Sequence, residues 1–248
     1  MNQKTQAYGE REAREDLVAA LRSAERLGLA EGVCNHCSLA LPGKPGQFLI
    51  NPQGLHWSEV TPADLVIVDA DGKHVSGKHA VEATAFFIHG RLHRASPRAN
   101  CVLHTHMPYA TSLTIIDGGE LAWASQNALR FYGRVAYDRE YNGLALDDAE
   151  GDRMAAKIRD ADILFLANHG VIVCGPTVAY AFDDLYYLER ACMLQVLAHG
   201  NGKPLKIVPD EIASATRAQM DAERQQADLH LAALKRILDR KQPGWRNG

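Results

Sequence analysis

Hydrophobic and polar positions along the chain alternate with two different periods, which predicts a mixture of helices and short strands. Between residues 10 and 29, apolar side chains recur at helical spacing and place Leu17, Leu21 and Ala24 on one face. Between residues 38 and 75, three short apolar runs are separated by Pro-Gly, Asn-Pro and Asp-Gly pairs, which are typical of turns between antiparallel strands. The pattern therefore predicts an amphipathic helix followed by antiparallel sheet.

Later segments continue both patterns. Residues 81–94 carry apolar positions three or four apart and predict a second helix. Two apolar runs, at 100–104 and around 162–175, predict buried strands that end at a histidine or are broken by one. Helical periodicity returns from residue 177 to Gly200, and residues 212–241 are interpreted as one charged amphipathic helix. The order predicts helices wrapped around a sheet.

No Pro-, Gly- or Ser-rich linker and no internal repeat divides the chain. We therefore expect one domain over residues 1–248, with a C-terminal helical extension near residues 210–241. The five cysteines are an odd number in apolar contexts, which favours reduced thiols over a disulfide framework. Cys34 and Cys37 form an isolated C-x-x-C pair without a second pair, so neither a zinc ribbon nor a redox site is predicted.

Composition and charge narrow the classes of partner. Hydrophobic residues make up 46% of the chain and charged residues 23%, as in ordinary globular proteins. The 27 Lys and Arg residues do not exceed the 30 Asp and Glu residues, so we expect no nucleic-acid partner. The first residues are polar, and no stretch of 18 uninterrupted apolar residues follows. We therefore expect no membrane partner and a cytoplasmic location.

Three histidines stand where the predicted strands end or break. His104 and His106 are two residues apart, so both imidazoles lie on one face of a strand and can reach a single ion. His169 interrupts the apolar run LFLANHGVIVCG, where a polar turn is unfavourable unless it has a use; a hydrogen-bonded turn histidine is the alternative interpretation. Three histidines leave a coordination position for water or substrate, as in catalytic sites. Zinc, manganese, iron and cobalt all suit this set.

Several separated motifs resemble the class II aldolase and adducin family. They cover most of the chain in the family's order: VCNHCSLAL, FLINPQGLHWSEVTPADLVIVDADG, FFIHGRLHRASPRANCVLHTH, LHTHMPYATSL, GRVAYDREYNG and ANHGVIVCG. The resemblance implies an α/β fold with three αβα layers and a mostly antiparallel central sheet. It also implies a homotetramer with active sites near subunit interfaces. His104, His106 and His169 would ligate one divalent ion per subunit, with zinc as the first expectation.

The resemblance also implies a class of reaction. In the family's sugar-phosphate aldolases, the ion binds oxygens of a ketose and stabilises the enediolate left by carbon–carbon cleavage. We therefore expect a carbon–carbon lyase acting on a small molecule. It would perform retro-aldol cleavage of a sugar or sugar phosphate, within carbohydrate metabolism, or decarboxylation of an oxo or hydroxy acid. Two alternatives remain: a non-haem iron oxygenase on the same three histidines, and a non-enzymatic adducin-like scaffold.

One residue departs from the aldolase pattern. Those aldolases carry a glutamate nineteen residues before the first metal histidine, and the same count from His104 reaches Ala85. Glu82, one helical turn earlier, is the nearest acid and is our candidate for acid–base catalysis. Its alternative role is a favourable interaction with the helix dipole. This segment and NPQGLHWSEVT resemble the adducin-type bacterial branch, so the aldolase substrates are not carried over.

Asn35, His36 and Ser38 occupy the position of the family's Gly-Asn-x-Ser loop. The resemblance implies that they bind substrate, while a polar loop after a helix is the structural alternative. Cys34 replaces a glycine of the loop and His36 replaces a small apolar residue. We therefore expect a pocket that prefers a carboxylate or an unphosphorylated ligand.

Four further side chains complete the predictions. Gln126 is a candidate substrate contact through its amide, and Tyr141 a candidate catalytic proton donor, although both types also occur as structural residues. His89 and His93 are four residues apart on the second predicted helix, but no HExxH glutamate accompanies them. We expect them to pack in the core or to support neighbouring site residues.

Overall fold

The structure, a computed structural model, describes residues 8–96, 98–144 and 147–247. Its helices and strands follow the chain in this order: α1 (Glu10–Arg26), β1 (His36–Ala40), β2 (Gln47–Ile50), β3 (Val66–Asp69), β4 (His74–Ser76), α2 (Ala83–Ala95), β5 (Cys101–Thr105), α3 (Pro108–Thr114), α4 (Gln126–Leu129), β6 (Val135–Asp138), α5 (Asp148–Ile158), β7 (Ile163–Leu166), β8 (Gly170–Gly175), α6 (Val178–His199), α7 (Asp210–Ala222) and α8 (Gln226–Lys241).

All eight strands join one sheet in the order β4-β3-β2-β1-β5-β8-β7-β6. Every neighbouring pair is antiparallel except β6 and β7, which are parallel. The mostly antiparallel central sheet between helical layers confirms the predicted fold class. β5 lies near the centre, and the register places His104 opposite His36 of β1 on one side and opposite Ile172 of β8 on the other.

Alternation along the strands sends successive side chains to opposite faces of the sheet. On β5, Leu103 packs into a large apolar cluster with α1, α6 and α8, while Val102 packs into a smaller cluster with α2 and α5. A third cluster, around Phe48 and Ala85, also lies on the α2 side. His104 shares this α2 face with Val102, because the two residues are two positions apart along the strand.

The sequence patterns predict most elements within a few residues. The first helix, the β3–β4 hairpin, the strand before His104 and the long helix ending before Gly200 are all confirmed. The interpretation of residues 212–241 as one helix is wrong, because α7 ends at Ala222 and α8 begins at Gln226. Between them the chain turns, and Arg224 donates to the buried Asp184 carboxylate of α6. This long-range ion pair has no counterpart in local periodicity.

Four short elements were not predicted from periodicity: α3, α4, β6 and α5. Elements of four to eleven residues carry too few apolar positions to reveal a period. Among the described residues, no helix combines the length and apolarity needed to cross a membrane.

Candidate metal centre

The three predicted metal histidines meet at the end of β5 that adjoins the β7–β8 turn. Candidate ligand atoms of His104, His106 and His169 all lie within 4.8 Å of one another. Their ring centroids form a nearly equilateral triangle with sides of 5.0, 4.8 and 4.8 Å. Strand alternation sends the first two side chains to one face, and the turn brings in the third. The structure thus assembles the triad that the spacing predicts.

Hydrogen bonds to the outer ring nitrogens assign the tautomers of two of these histidines. His104 Nδ1 donates to the carbonyl oxygen of Val171 at 3.0 Å, and His106 Nδ1 donates to Glu31 Oε2 at 2.5 Å. A neutral imidazole carries one N–H, so in the neutral form, which is the form that binds metal ions, each Nε2 offers a bare lone pair. Anchoring the distal nitrogen to a carbonyl or carboxylate is the usual support for a metal-ligating histidine.

The distance between the two bare nitrogens tests whether the site suits a metal. His104 Nε2 and His106 Nε2 are 3.2 Å apart, and in the neutral tautomers described above neither nitrogen carries a proton. Two lone pairs at this separation repel unless a cation lies between them. A tetrahedral zinc with Zn–N bonds of about 2.0–2.1 Å would hold its nitrogens about 3.3 Å apart. The donor set therefore fits one divalent ion.

Local backbone geometry explains the Asn-His-Gly sequence of the β7–β8 turn. Asn168 has φ 56°, a left-handed conformation that asparagine tolerates better than most residues. A Cβ at Gly170 would stand 2.6 Å from the carbonyl oxygen of Thr105 and 2.8 Å from His106 Cδ2. Only glycine allows the turn to approach β5 this closely. The polar break in the apolar run thus delivers His169 to the other two ligands.

Burial and mutual proximity favour the neutral form of His104 and His169. Burial lowers the pKa of His104 well below its ordinary value, and the neighbouring His36, His169 and His106 add to the effect. Burial also lowers the pKa of His169 to about 4, with a further contribution from His106. Neutral imidazole is the form that binds metal ions.

The predicted substrate-binding loop lies against this centre. Asn35 is buried; its Oδ1 accepts from the backbone N–H of Glu31 at 2.8 Å, while Nδ2 has no partner among the described residues. The ring of His36 lies 4.7 Å from the ring of His104. Ser38 lies two residues further along β1 on the same face, and its hydroxyl contacts His89 and His93 of α2.

The remaining predicted residues lie in different surroundings. Glu82 is the N-cap residue of α2, and its carboxylate accepts from the Thr84 hydroxyl at 3.0 Å. Ala85 is buried in the apolar cluster around Phe48. Gln126 is exposed at the first turn of α4. Tyr141 and His169 line one small cavity beside the metal centre. Of these four, the structure brings only Tyr141 into a cavity with a triad histidine.

Two acids near the centre were missed from the sequence. Glu31, in the loop after α1, holds His106, and Glu150, in the first turn of α5, lines the same cavity as Tyr141 and His169. Two hydrogen bonds from Arg153, at 2.8 and 2.5 Å, lower the pKa of Glu150. Each acid lies in a polar segment without periodicity, so only its position after folding marks it.

Two solved structures have the same fold. The chain is similar to an aldolase II superfamily protein from Pseudomonas syringae, with a TM-score of 0.90 and 33% identity over 98% of both chains. It is also similar to L-fuculose 1-phosphate aldolase from Glaciozyma antarctica, with a TM-score of 0.83 and 25% identity over 94% of this chain and 92% of that one.

Sequence comparison adds two relatives and the family. The decarboxylase NovR of Streptomyces niveus is 33% identical over 90% of this chain and 84% of its own length. A 4-hydroxy-3-prenylphenylpyruvate oxygenase/4-hydroxy-3-prenylbenzoate synthase of Streptomyces roseochromogenus is 32% identical over 90% of this chain and 82% of its own length. The class II aldolase and adducin N-terminal domain matches residues 15–196. The chain therefore belongs to the class II aldolase and adducin family.

Proposed function

We propose that the protein is a divalent-metal-dependent carbon–carbon lyase acting on a small hydroxy or oxo compound. The observation that carries the proposal is the convergence of the bare Nε2 atoms of His104 and His106, 3.2 Å apart, beside His169. A bound divalent ion would supply Lewis-acid stabilisation of the negative charge that develops on an enolate. Retro-aldol cleavage and decarboxylation both need that stabilisation, which is why the proposal includes both.

The chain's own residues would bind and orient the substrate. Asn35 Nδ2 is a buried donor without a partner among the described residues, and the two hydrogen bonds accepted by Oδ1 fix which way the amide faces. An unpaired buried donor is unfavourable by about 1–3 kcal/mol, so a substrate oxygen that accepts from it gains that much in discrimination. His36, next to His104, offers a second polar contact. A substrate with adjacent oxygens suits this arrangement.

The proposed reaction also needs a residue that donates or accepts a proton beside the metal centre. Glu82 was the candidate because the aldolase position holds Ala85, but its carboxylate accepts from Thr84 on its own helix. Tyr141 and Glu150 line a cavity with His169, so either is better placed to exchange a proton near the ion. Tyr141 is our first candidate, because Arg153 holds the Glu150 carboxylate through two hydrogen bonds.

We further propose that the resident ion is zinc, that the protein is a homotetramer and that it acts in carbohydrate metabolism. Support for association comes from Ile115 and Ile116, which follow α3 and are 62% and 56% exposed. Light scattering of the purified protein would measure the subunit number directly.

A second candidate function is a non-haem iron oxygenase. The relative from Streptomyces roseochromogenus carries an oxygenase in its name and aligns over most of both chains. Three histidines with open coordination positions also suit iron. The two functions differ in one reactant, because the oxygenase consumes dioxygen and the lyase does not.

The test reconstitutes metal-free protein with zinc, manganese or iron in turn. Elemental analysis should find one ion per subunit, and ketose phosphates and oxo or hydroxy acids are then assayed with an oxygen electrode in the cuvette. Turnover without oxygen uptake supports the lyase, and turnover with oxygen uptake supports the oxygenase. His104→Ala should abolish metal uptake, whereas His74→Ala, on the exposed edge strand β4, should retain it. Wild-type protein that takes up no stoichiometric metal would overturn both candidates and favour a scaffold.

A further inference from the structure

A continuous row of hydrogen-bonded side chains runs from the metal centre into the core beneath α2. His36 Nδ1 contacts His89 Nε2 at 2.7 Å, and His89 Nδ1 contacts Ser38 Oγ at 2.5 Å. Ser38 Oγ also contacts His93 Nε2 at 2.7 Å, and His93 Nδ1 contacts the carbonyl oxygen of Ala99 at 2.5 Å. Four polar side chains thus form a single row that links β1 to α2.

The row passes through surroundings that are otherwise apolar. His36, Ser38 and His89 are buried, and the apolar clusters around Val102 and around Phe48 lie on the same α2 side of the sheet. Burying an imidazole or a hydroxyl is unfavourable unless each polar atom is paired. Leucine or valine at these positions would stabilise the core without the need to pair buried polar atoms. We therefore expect the row to have a use beyond stability.

Counting protons gives the row a single direction. The Ala99 carbonyl only accepts, so His93 Nδ1 donates to it and His93 Nε2 accepts from the Ser38 hydroxyl. That hydroxyl has one hydrogen, so Ser38 Oγ accepts from His89 Nδ1, and His89 Nε2 accepts from His36 Nδ1. Four neutral side chains supply one proton each, and the four contacts use one proton each.

Burial keeps the row neutral. It lowers the pKa of His89 well below the ordinary value and the pKa of His93 to about 4. An additional proton on His93 or His89 would place two N–H groups against each other or against the Ser38 hydroxyl donor. The directional arrangement is therefore the one that satisfies every contact.

We infer that this row fixes His36 as the Nδ1–H tautomer and thereby presents its Nε2 as a hydrogen-bond acceptor for a hydroxyl group of the substrate. His36 Nδ1 is taken up by His89, which leaves Nε2, the other ring nitrogen, without a hydrogen-bond partner among the described residues. The His36 ring lies against the His104 ring, with 4.7 Å between the ring centroids. His89, Ser38 and His93 are positioning residues, because they act through His36.

The inference rests on the proposed function and adds a selectivity to it. A carboxylate or carbonyl oxygen carries no proton and cannot donate to a bare Nε2. A hydroxyl can. The substrate class is therefore narrowed to hydroxy compounds that place a hydroxyl next to the oxygens bound by the ion. A neutral hydrogen bond of about 0.5–1.5 kcal/mol corresponds to a preference of about 2- to 13-fold.

Histidine tautomers are directly measurable. Long-range proton–nitrogen correlation spectra of the ¹⁵N-labelled full-length protein, with and without zinc, should show His36, His89 and His93 all protonated at Nδ1. Free histidine side chains favour Nε2–H, so three Nδ1–H signals are a distinctive result. A His36 protonated at Nε2 would overturn the inference. Because the spectra need neither turnover nor bound metal, they stand apart from any failure of the lyase assays.

Ser38→Ala removes the middle of the row, and Cys37→Ala is the matched control on the opposite face of the same strand. Ser38→Ala should release His36 from the Nδ1–H form, while Cys37→Ala should leave it unchanged. With zinc-loaded protein, the preference for glycolate over acetate should fall about 2- to 13-fold in Ser38→Ala only. An unchanged tautomer and preference in Ser38→Ala would contradict the inference. The wild-type spectra decide the tautomer even if Ser38→Ala does not fold.

Discussion

On one face of the central sheet, α1, α6 and α8 cover a large apolar cluster, and α6 also carries a buried, charged ion-pair network. Asp184 of α6 is fully buried and accepts from Arg134 and from Arg224, each at 2.6 Å. On the other face, α2 covers a neutral row of three histidines and one serine. The first arrangement ties distant segments together, and the second orients atoms beside the metal centre. Buried polar groups thus have two different uses in one protein.

Substitutions in the charged network should cause the largest loss of stability. Asp184→Ala leaves Arg224 without this carboxylate and leaves Arg134 with Asp162, and breaking a buried ion pair in this way destabilises a protein by about 3–5 kcal/mol. Urea unfolding of the metal-free protein measures the change. Asp221→Ala removes the exposed partner of Arg217, 2.9 Å away on the same helix, and should change stability by no more than about 0.5 kcal/mol. Equal effects of the two substitutions would remove the distinction between the buried and exposed pairs.

An apolar replacement at His89 interrupts the neutral row of three histidines and one serine. His89→Leu should destabilise the protein by about 2–4 kcal/mol, because His36 Nδ1 and the Ser38 hydroxyl each lose a buried partner. Leu92→Met, on the same helix and also buried, should cost less than about 1.5 kcal/mol. Were this face an ordinary apolar core, His89→Leu would instead be neutral or stabilising when measured by the same urea titration.

The candidate metal centre also combines a neutral contact with a charged one. The Val171 carbonyl oxygen anchors His104, and the carboxylate of Glu31, whose side chain is 63% exposed, anchors His106. Glu31→Gln keeps an acceptor but loses its charge, so zinc affinity should fall by about 10-fold. Competition with a chromophoric chelator measures the affinity. Glu223→Gln, at the α7–α8 turn, should leave the affinity unchanged. An unchanged affinity in Glu31→Gln would mean that this carboxylate does not support His106.

The smallest expected effect concerns pH. The pKa of His93 falls from 6.5 to about 4 on burial, so the folded protein binds this proton less readily than the unfolded chain. Its contribution to stability is therefore full above pH 6.5 and is lost as the pH falls from 6.5 towards 4. Between pH 7.5 and 5.5, His93 alone should lower the stability of the metal-free protein by about 1 kcal/mol.

His93→Gln separates this contribution from those of the other groups that titrate in the same range. Urea unfolding at the two pH values should show a smaller pH dependence in His93→Gln than in the wild type. His74→Ala, which removes an exposed histidine, should retain the wild-type dependence. A wild-type dependence in both variants would show that His93 is already solvated in the folded protein.

The sequence predicted the fold and the cluster of His104, His106 and His169 for different reasons. Strand alternation and the family motifs both indicate His104 and His106, and the unfavourable polar break indicates His169. Glu31 was missed because its role depends on a contact 75 residues away. The hydrogen-bonded row was missed because His36 and His89 are 53 residues apart, so only the sheet and α2 together bring them into contact. Local patterns therefore predict elements, while contacts between elements require the structure.

The long separations also bear on how the protein folds. His104 meets Val171, 67 residues along the chain, only when β5 has paired with β8 in register. Such non-local pairing is slow and must precede ion capture, because no short segment contains the whole ligand set. In the proposed function, an ion would therefore bind a preformed scaffold instead of nucleating it, unlike a zinc finger. A chelator should therefore strip the metal while the circular dichroism spectrum of the folded chain persists.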